Sequence, residues 1–313
     1  MTSTRFSALF LVALGVGLLC RLWLARRQAA HVAAHRAAVP GAFAATISLD
    51  AHQKAADYTV ARVRLGMVDV VVSAVLLLAL TVGGGLQALH DLCARFLEAG
   101  SLAHGVAFVS AVGVVSWLIE LPIGLYRSFV LEARFGFNRL TPGLFVADTV
   151  KGVLLAALIG LPLIAFVLWL MAAMGGLWWL YVWAFWLGFN LLVMLVYPTF
   201  IAPLFNKFQP LADGPLKARI EGLMTRCGFR LSGLFVMDGS KRSAHGNAYF
   251  TGFGASKRIV FFDTLLSKLD PPEVEAVLGG LFRWSVAGTG SDWCPAGSWR
   301  RVMRVSWATW VWI

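Results

Sequence analysis

Charged residues are scarce in this 313-residue chain: Asp, Glu, Lys and Arg make up 14% of it, against 59% hydrophobic residues. With a mean hydropathy of +0.74, that shortage excludes a water-soluble domain of this size and leaves a protein that crosses a membrane several times. Acidic residues are the scarcer kind, 16 against 27 Lys and Arg, so the net charge is +11. No basic, aromatic-studded module accompanies the excess, and multi-pass proteins collect Lys and Arg in their loops anyway, so no nucleic-acid partner is expected. The four cysteines, Cys20, Cys93, Cys227 and Cys294, include no CxxC pair. Neither a zinc ribbon nor a disulfide framework follows. Internal repeats and low-complexity tracts are also missing, and with them the paired, interrupted helices expected of a transporter.

What the chain does contain is long apolar runs. Five of them, roughly 7–25, 67–89, 105–126, 153–174 and 177–198, reach the length of about 20 residues that a bilayer-spanning helix needs. The first has only Arg5 before it and no small-residue cleavage site, so it reads as a retained span and not a signal peptide. The lipid bilayer is therefore an obligatory partner. Six Lys or Arg lie between 26 and 64, four between 127 and 151, and ten between 207 and 268, whereas the loop near 91–104 holds only Arg95. With five spans the three basic stretches share one side, which the positive-inside rule assigns to the cytoplasm.

Residues 199–278 change character. The runs GLFVMDGS and KRIVFFDTLL, β-branched and aromatic, predict strands joined across AHGNAYFTGFGAS. The expected fold is mainly α: a polytopic transmembrane bundle over 1–198 with a small cytoplasmic α+β insertion over 199–278, followed by an atypical tail, 279–313. The compact, basic chain suits a bacterial inner membrane.

Several residues invite chemistry. HVAAH sets His31 and His35 at i and i+4, the spacing of a helical zinc pair, but Val32 stands where a metalloprotease has its general-base glutamate, and a solvated juxtamembrane helix fits as well. GFGASK, Gly252 to Lys257, lies between strands and not ahead of a helix, so it reads as a turn and not a phosphate loop. Glu120, just before Pro122, is an ionisable group inside a span, and an interfacial position or a partner such as Arg127 accounts for it as well as a pathway role does. Asn190 reads as an interhelical hydrogen bond. In SAHGNAYFTGFG, the strand beginning Asn247, Ala248, Tyr249 matches the way several zinc proteases hold an extended peptide, with backbone pairing and an Asn amide as clamp. An ordinary hairpin fits the same residues, and His245 alone makes no metal site.

The stretch SKLDPPEVEAVLGGLFRWSVAG, from Ser267, opens as an amphipathic helix: Asp270 as cap, Pro271 and Pro272 in the first turn, Glu273 and Glu275 at the positive pole. Gly279 and Gly280 then stand where a third turn belongs, at about 1 kcal/mol each relative to alanine.

Together with ISLDAHQKAADYTVARVRLG from Ile47, IELPIGLYRSFVLEARFGFNRLTPGLFVADTVKG from Ile119, YPTFIAPLFNKFQPL from Tyr197 and LFVMDGSKRSAHGNAYFTGFGASKRIVFFDTLL from Leu234, these residues resemble the type I CAAX prenyl proteases, integral-membrane zinc metallopeptidases. The resemblance runs up to about Leu278. It implies proteolysis of membrane-presented peptides, a peptide or protein substrate lying along Asn247, Ala248 and Tyr249, and zinc as the family's cofactor. In that family EVEAVL is followed by Ala-His-Glu-x-x-His; here Gly279 follows instead. No histidine occurs after His245 and no glutamate between Gly279 and Ile313. The expectation for this polypeptide is therefore no catalytic residues, no metal ligands and no bound zinc. Six of the 13 tryptophans fall in the last 30 residues. That composition suits a frame disruption after Leu278 that leaves a truncated, inactive form, or else an amphipathic ending, RRVMRVSWATWVWI, on the membrane surface. A non-catalytic membrane scaffold or substrate-binding pseudoprotease is the competing reading.

Overall fold

A computed structural model describes residues 3–226, 230–251 and 256–287. They fall into two compact units, one of residues 1–136 and 143–185, the other of 137–142 and 186–313.

The first unit is helical. Its elements are α1 (Ser3–Ala34), α2 (Leu49–Thr81), α3 (Gly85–Ala94), α4 (Leu102–Tyr126), a π-helical turn (Arg127–Glu132) and α5 (Pro142–Ala173). Among the described residues, five helical stretches are long and apolar enough to cross a membrane: Thr4–Ala34, Leu49–Thr81, Leu102–Glu132, Pro142–Ala173 and Gly175–Phe205. Local chemistry sets the ends of these helices. Ser48 caps α2 by accepting from the Ala51 amide, and Ser101 caps α4 by accepting from the His104 amide. The second span begins well before the apolar run at 67–89 and ends at Thr81, because the run crosses Gly83-Gly84-Gly85. Gly84 adopts φ 76°, and a Cβ on Gly83 or Gly85 would meet the Ala79 carbonyl oxygen at 2.7 or 2.8 Å. The chain turns there, and the remaining residues of the run form α3. Arg36 grips Asp57 in a two-point ion pair at 2.7 and 2.8 Å, joining the segment after α1 to the first turns of α2.

The second unit begins with the C-terminal part of α6 (Trp178–Val196), which runs into a π-helical turn, Tyr197–Ile201, and then α7 (Ala202–Phe205). Pro198 brings no amide hydrogen to that turn, and the widened turn accommodates the missing bond. There follow β1 (Phe208–Pro210), α8 (Pro215–Arg226), β2 (Arg230–Met237), β3 (Ala248–Thr251), β4 (Ser256–Phe262), α9 (Asp263–Leu266) and α10 (Pro271–Ala287). The strand order is β1-β2-β4-β3, with β2 and β4 parallel and the other pairs antiparallel. Ile220, Leu223 and Met224 of α8 and Val274 and Leu278 of α10 pack with Leu234, Ile259 and Phe261 of the sheet into one core.

The two sequence-predicted strands are thus present as β2 and β4, with β1 added. The helix opening at Pro271 does not stop at the glycines but continues to Ala287. Val274 and Leu278 are 1% and 0% exposed, and burying two such side chains contributes about 1.5–3 kcal/mol each, enough to offset two helical glycines. The Asp270 amide bonds back to the Glu273 carboxylate at 3.0 Å, and Glu275 holds Arg226 at 2.8 Å and Arg219 at 3.4 Å, fastening α10 to α8.

Candidate functional site

β3 ends the strand order, so one of its sides carries no sheet partner among the described residues. The Phe262 amide donates to the Asn247 carbonyl at 2.9 Å. Antiparallel alternation then directs the backbone of Tyr249 and Thr251 toward β4 and that of Ala248 and Phe250 toward the outer side. The Asn247 side chain also folds onto the strand, its oxygen accepting from the Ala248 amide at 2.8 Å. The Phe250 backbone, which the sequence pattern does not single out, shares the orientation of Ala248, while the side chains of both belong to the core. Only the register reveals this, because two-residue alternation has no phase until a partner strand sets it. The Tyr249 ring stands edge-on to Phe262, and burial pushes its phenol above the usual tyrosine range, with Tyr197 adding to the shift and Arg258 opposing it.

The segment leading into β3 is held at many points. Asp263, at the start of α9, accepts the Ser240 amide and the Thr264 amide, each at 2.8 Å, and the Ser240 hydroxyl by a short bond. The buried Thr264 hydroxyl donates to the His245 carbonyl at 2.7 Å, and Lys268 donates to the Ala244 carbonyl at 2.5 Å. Arg242 reaches the Asn206 side chain and the Phe205 carbonyl, both at 2.6 Å. Residues 137–142 close the other side: Asn138 forms a bridge with Ser243, the Ala244 amide donates to the Phe137 carbonyl at 2.9 Å, and the Phe137 ring stacks on His245 at 4.3 Å. The loop is thus fastened ahead of the strand from several elements.

The remaining candidates separate. His31 and His35 are both exposed, and the His35 Nδ1 lies 2.8 Å from the His31 carbonyl oxygen, so that ring is used on its own helix. Glu120 is exposed, and Arg127 pairs with Asp69 at 3.4 Å and not with Glu120. Asn190 donates to the Trp186 carbonyl one turn back at 2.7 Å, an intrahelical bond and not the interhelical one expected, because an exposed amide readily turns to its own i−4 carbonyl. Most of GFGASK, residues 252–255, lies outside the described residues.

A catalytic zinc needs three protein ligands. On α10, Glu275 is committed to Arg219 and Arg226, and Glu273 caps its own helix. Among the described residues no three His, Cys, Asp or Glu side chains come together closely enough to hold a metal ion. Residues 288–313 lie outside the described residues and contain neither His nor Glu. The described residues do not fit a zinc centre.

Residues 28–207 match the family profile described as CAAX prenyl protease N-terminal, five membrane helices, and residues 210–279 match peptidase family M48. CAAX prenyl protease 1 of Saccharomyces cerevisiae is 44% identical over 185 residues, which is 59% of this chain and 41% of the relative. The homolog from Oryza sativa is 41% identical over 190 residues, 60% of this chain and 45% of the relative. The homolog from Caenorhabditis elegans is 37% identical over 243 residues, 77% of this chain and 54% of the relative. The chain thus spans about half the length of the curated relatives it matches. The crystal structure of Ste24p from S. mikatae superposes with a TM-score of 0.80 at 31% identity, covering 95% of this chain and 69% of that one.

Proposed function

Since the chain belongs to the CAAX prenyl protease family of M48 membrane metallopeptidases, we propose that it captures an extended peptide, presented at the membrane, along the outer side of β3. The observation that carries this reading is the position of β3 at the end of the sheet, with the backbone of Ala248 and Phe250 directed outward and the preceding loop fastened by Asp263, Thr264 and Phe137. Main-chain pairing supplies affinity without regard to sequence, and Asn247, Ala248 and Tyr249 shape the start of the strand. The substrate class is a membrane protein or a peptide held at the bilayer surface.

The same proposal has two further parts. The polypeptide binds peptide but does not hydrolyse it unaided, supported by the absence of a three-ligand cluster among the described residues and of His and Glu beyond Leu278. The sheet-bearing unit, which includes residues 199–278, lies on the cytoplasmic side of its membrane, supported by the Lys and Arg of 26–64, 127–151 and 207–268. The relatives named above are eukaryotic and lend the bacterial inner membrane no support.

The test is photo-crosslinking of a lipid-anchored peptide to the purified chain, mapped by mass spectrometry, alongside metal analysis and peptide hydrolysis. We expect labels on residues 247–251, Asn247→Ala weakening capture by about 0.5–1.5 kcal/mol, and no stoichiometric zinc. Labels confined elsewhere would remove the binding reading. One zinc per chain with chelator-sensitive cleavage would remove the non-hydrolytic one.

A further inference from the structure

Three arginines of the sheet-bearing unit have good partners. Arg219 and Arg226 share Glu275, and Arg242 donates to Asn206 and to the Phe205 carbonyl. Arg258, on β4, differs: it has no carboxylate partner among the described residues. It is partly buried, its guanidinium lies 4.0 Å from the Phe235 ring centre and 5.7 Å from that of Phe208, and its hydrogen bond to the Pro198 carbonyl is a long one, 3.5 Å. Its Nε is sealed from solvent with no hydrogen-bond partner among the described residues. A guanidinium cannot shed its charge, and a partly desolvated cation is costly unless an anion faces it. Stacking on an aromatic ring compensates only in part.

The location says which anion is at hand. Pro198 belongs to the membrane-length helix Gly175–Phe205, whose 31 residues extend about 46 Å, longer than the hydrocarbon core of about 30 Å. The apolar run Trp178–Val196 fills the core, so Tyr197 and Pro198 emerge at the level of the lipid headgroups. Tyr197, Phe200 and Leu204 are exposed there. Tyrosine is the residue type that marks this level, and both Tyr197 and Arg258 lie close enough to act electrostatically on the Tyr249 phenol. We propose that Arg258, with Tyr197 beside it, binds the phosphate of a phospholipid headgroup and so seats the sheet against the membrane surface. Charge-assisted hydrogen bonds from arginine to phosphate oxygens are strong, and the terminal nitrogen not bonded to Pro198 is the donor left for one.

The experiment titrates the full chain, in mild detergent, with a phosphatidylglycerol and reads retention by native mass spectrometry. Inorganic phosphate and a peptide with a free C-terminal carboxylate serve as competitors. We expect one tightly retained lipid per chain, retention at least tenfold weaker in Arg258→Gln, no change in Arg95→Gln, and displacement by neither competitor. Equal retention in Arg258→Gln overturns the proposal. Displacement by inorganic phosphate makes the site one for a free anion, and displacement by the peptide makes it a peptide-carboxylate site; either also overturns it. Should Arg258→Gln fail to fold, a phosphatidylglycerol with a photoreactive headgroup is crosslinked to the unaltered chain. Adducts at 197–204 or 249–258 uphold the assignment, and adducts confined elsewhere refute it.

Discussion

Replacing Asp263 tests whether the loop ahead of β3 is held by α9. The carboxylate accepts three hydrogen bonds: the Ser240 amide and the Thr264 amide at 2.8 Å each, and the Ser240 hydroxyl. Bonds to a charged acceptor contribute about 1.5–3 kcal/mol each, and they are not additive within one cluster. Asp263 is itself partly buried, and Thr264 behind it is buried, so water reaches the orphaned donors poorly. Asp263→Ala is therefore expected to lower the free energy of opening residues 239–247 by about 2–4 kcal/mol, or roughly 30- to 700-fold in the opening equilibrium. Asp263→Asn keeps one acceptor oxygen and should lose about 1 kcal/mol. Hydrogen–deuterium exchange of the detergent-solubilised chain reads this directly at the amides of Ser240, Thr264 and Asn247. The effect should spread, since Thr264 holds the His245 carbonyl and Lys268 the Ala244 carbonyl. If exchange at Ser240 and Asn247 changes less than threefold in Asp263→Ala, the carboxylate does not order the loop, and the strand is positioned by the Phe137 and Arg242 contacts alone.

Leu278 is fully buried between α10, α8 and the sheet, so Leu278→Ala should destabilise the sheet-bearing unit by about 2–5 kcal/mol, measured as accelerated proteolysis or exchange in α8 and α10. The Tyr249 phenol is raised above its ordinary value of about 10 by burial, so the neutral form is favoured in the folded state. Its contribution is present in full below that ordinary value and is lost as pH rises through the higher folded value; Tyr249→Phe should show a flatter alkaline loss of stability in the same exchange assay. Membrane-impermeant thiol reagents should fail to label Cys227 from outside intact cells, and labelling from outside would reverse the orientation drawn from the basic loops.

Hydropathy in the sequence determined by itself that the described residues carry five helices long and apolar enough to cross a membrane, because a bilayer forces length and apolarity on each crossing regardless of its neighbours. The runs around Phe235 and Val260 likewise announced two strands, since β-branched and aromatic residues crowd a helix and suit a pleated surface. Local signals failed where the outcome depended on a partner. The glycines 279 and 280 look like a stop, yet α10 passes through them because Leu278 and Val274 are buried by α8 and the sheet. Tertiary structure alone decided that β2 and β4 pair in parallel, that β3 becomes the outermost strand, and that Phe137, a hundred residues upstream, stacks on His245 beside it. It also decided which strand residues turn their backbone to the open edge, Ala248 and Phe250, and left Arg258 without a counter-charge among the described residues. Register, pairing order and charge compensation join residues far apart in the chain, and a pattern read along the chain carries no information about such pairs.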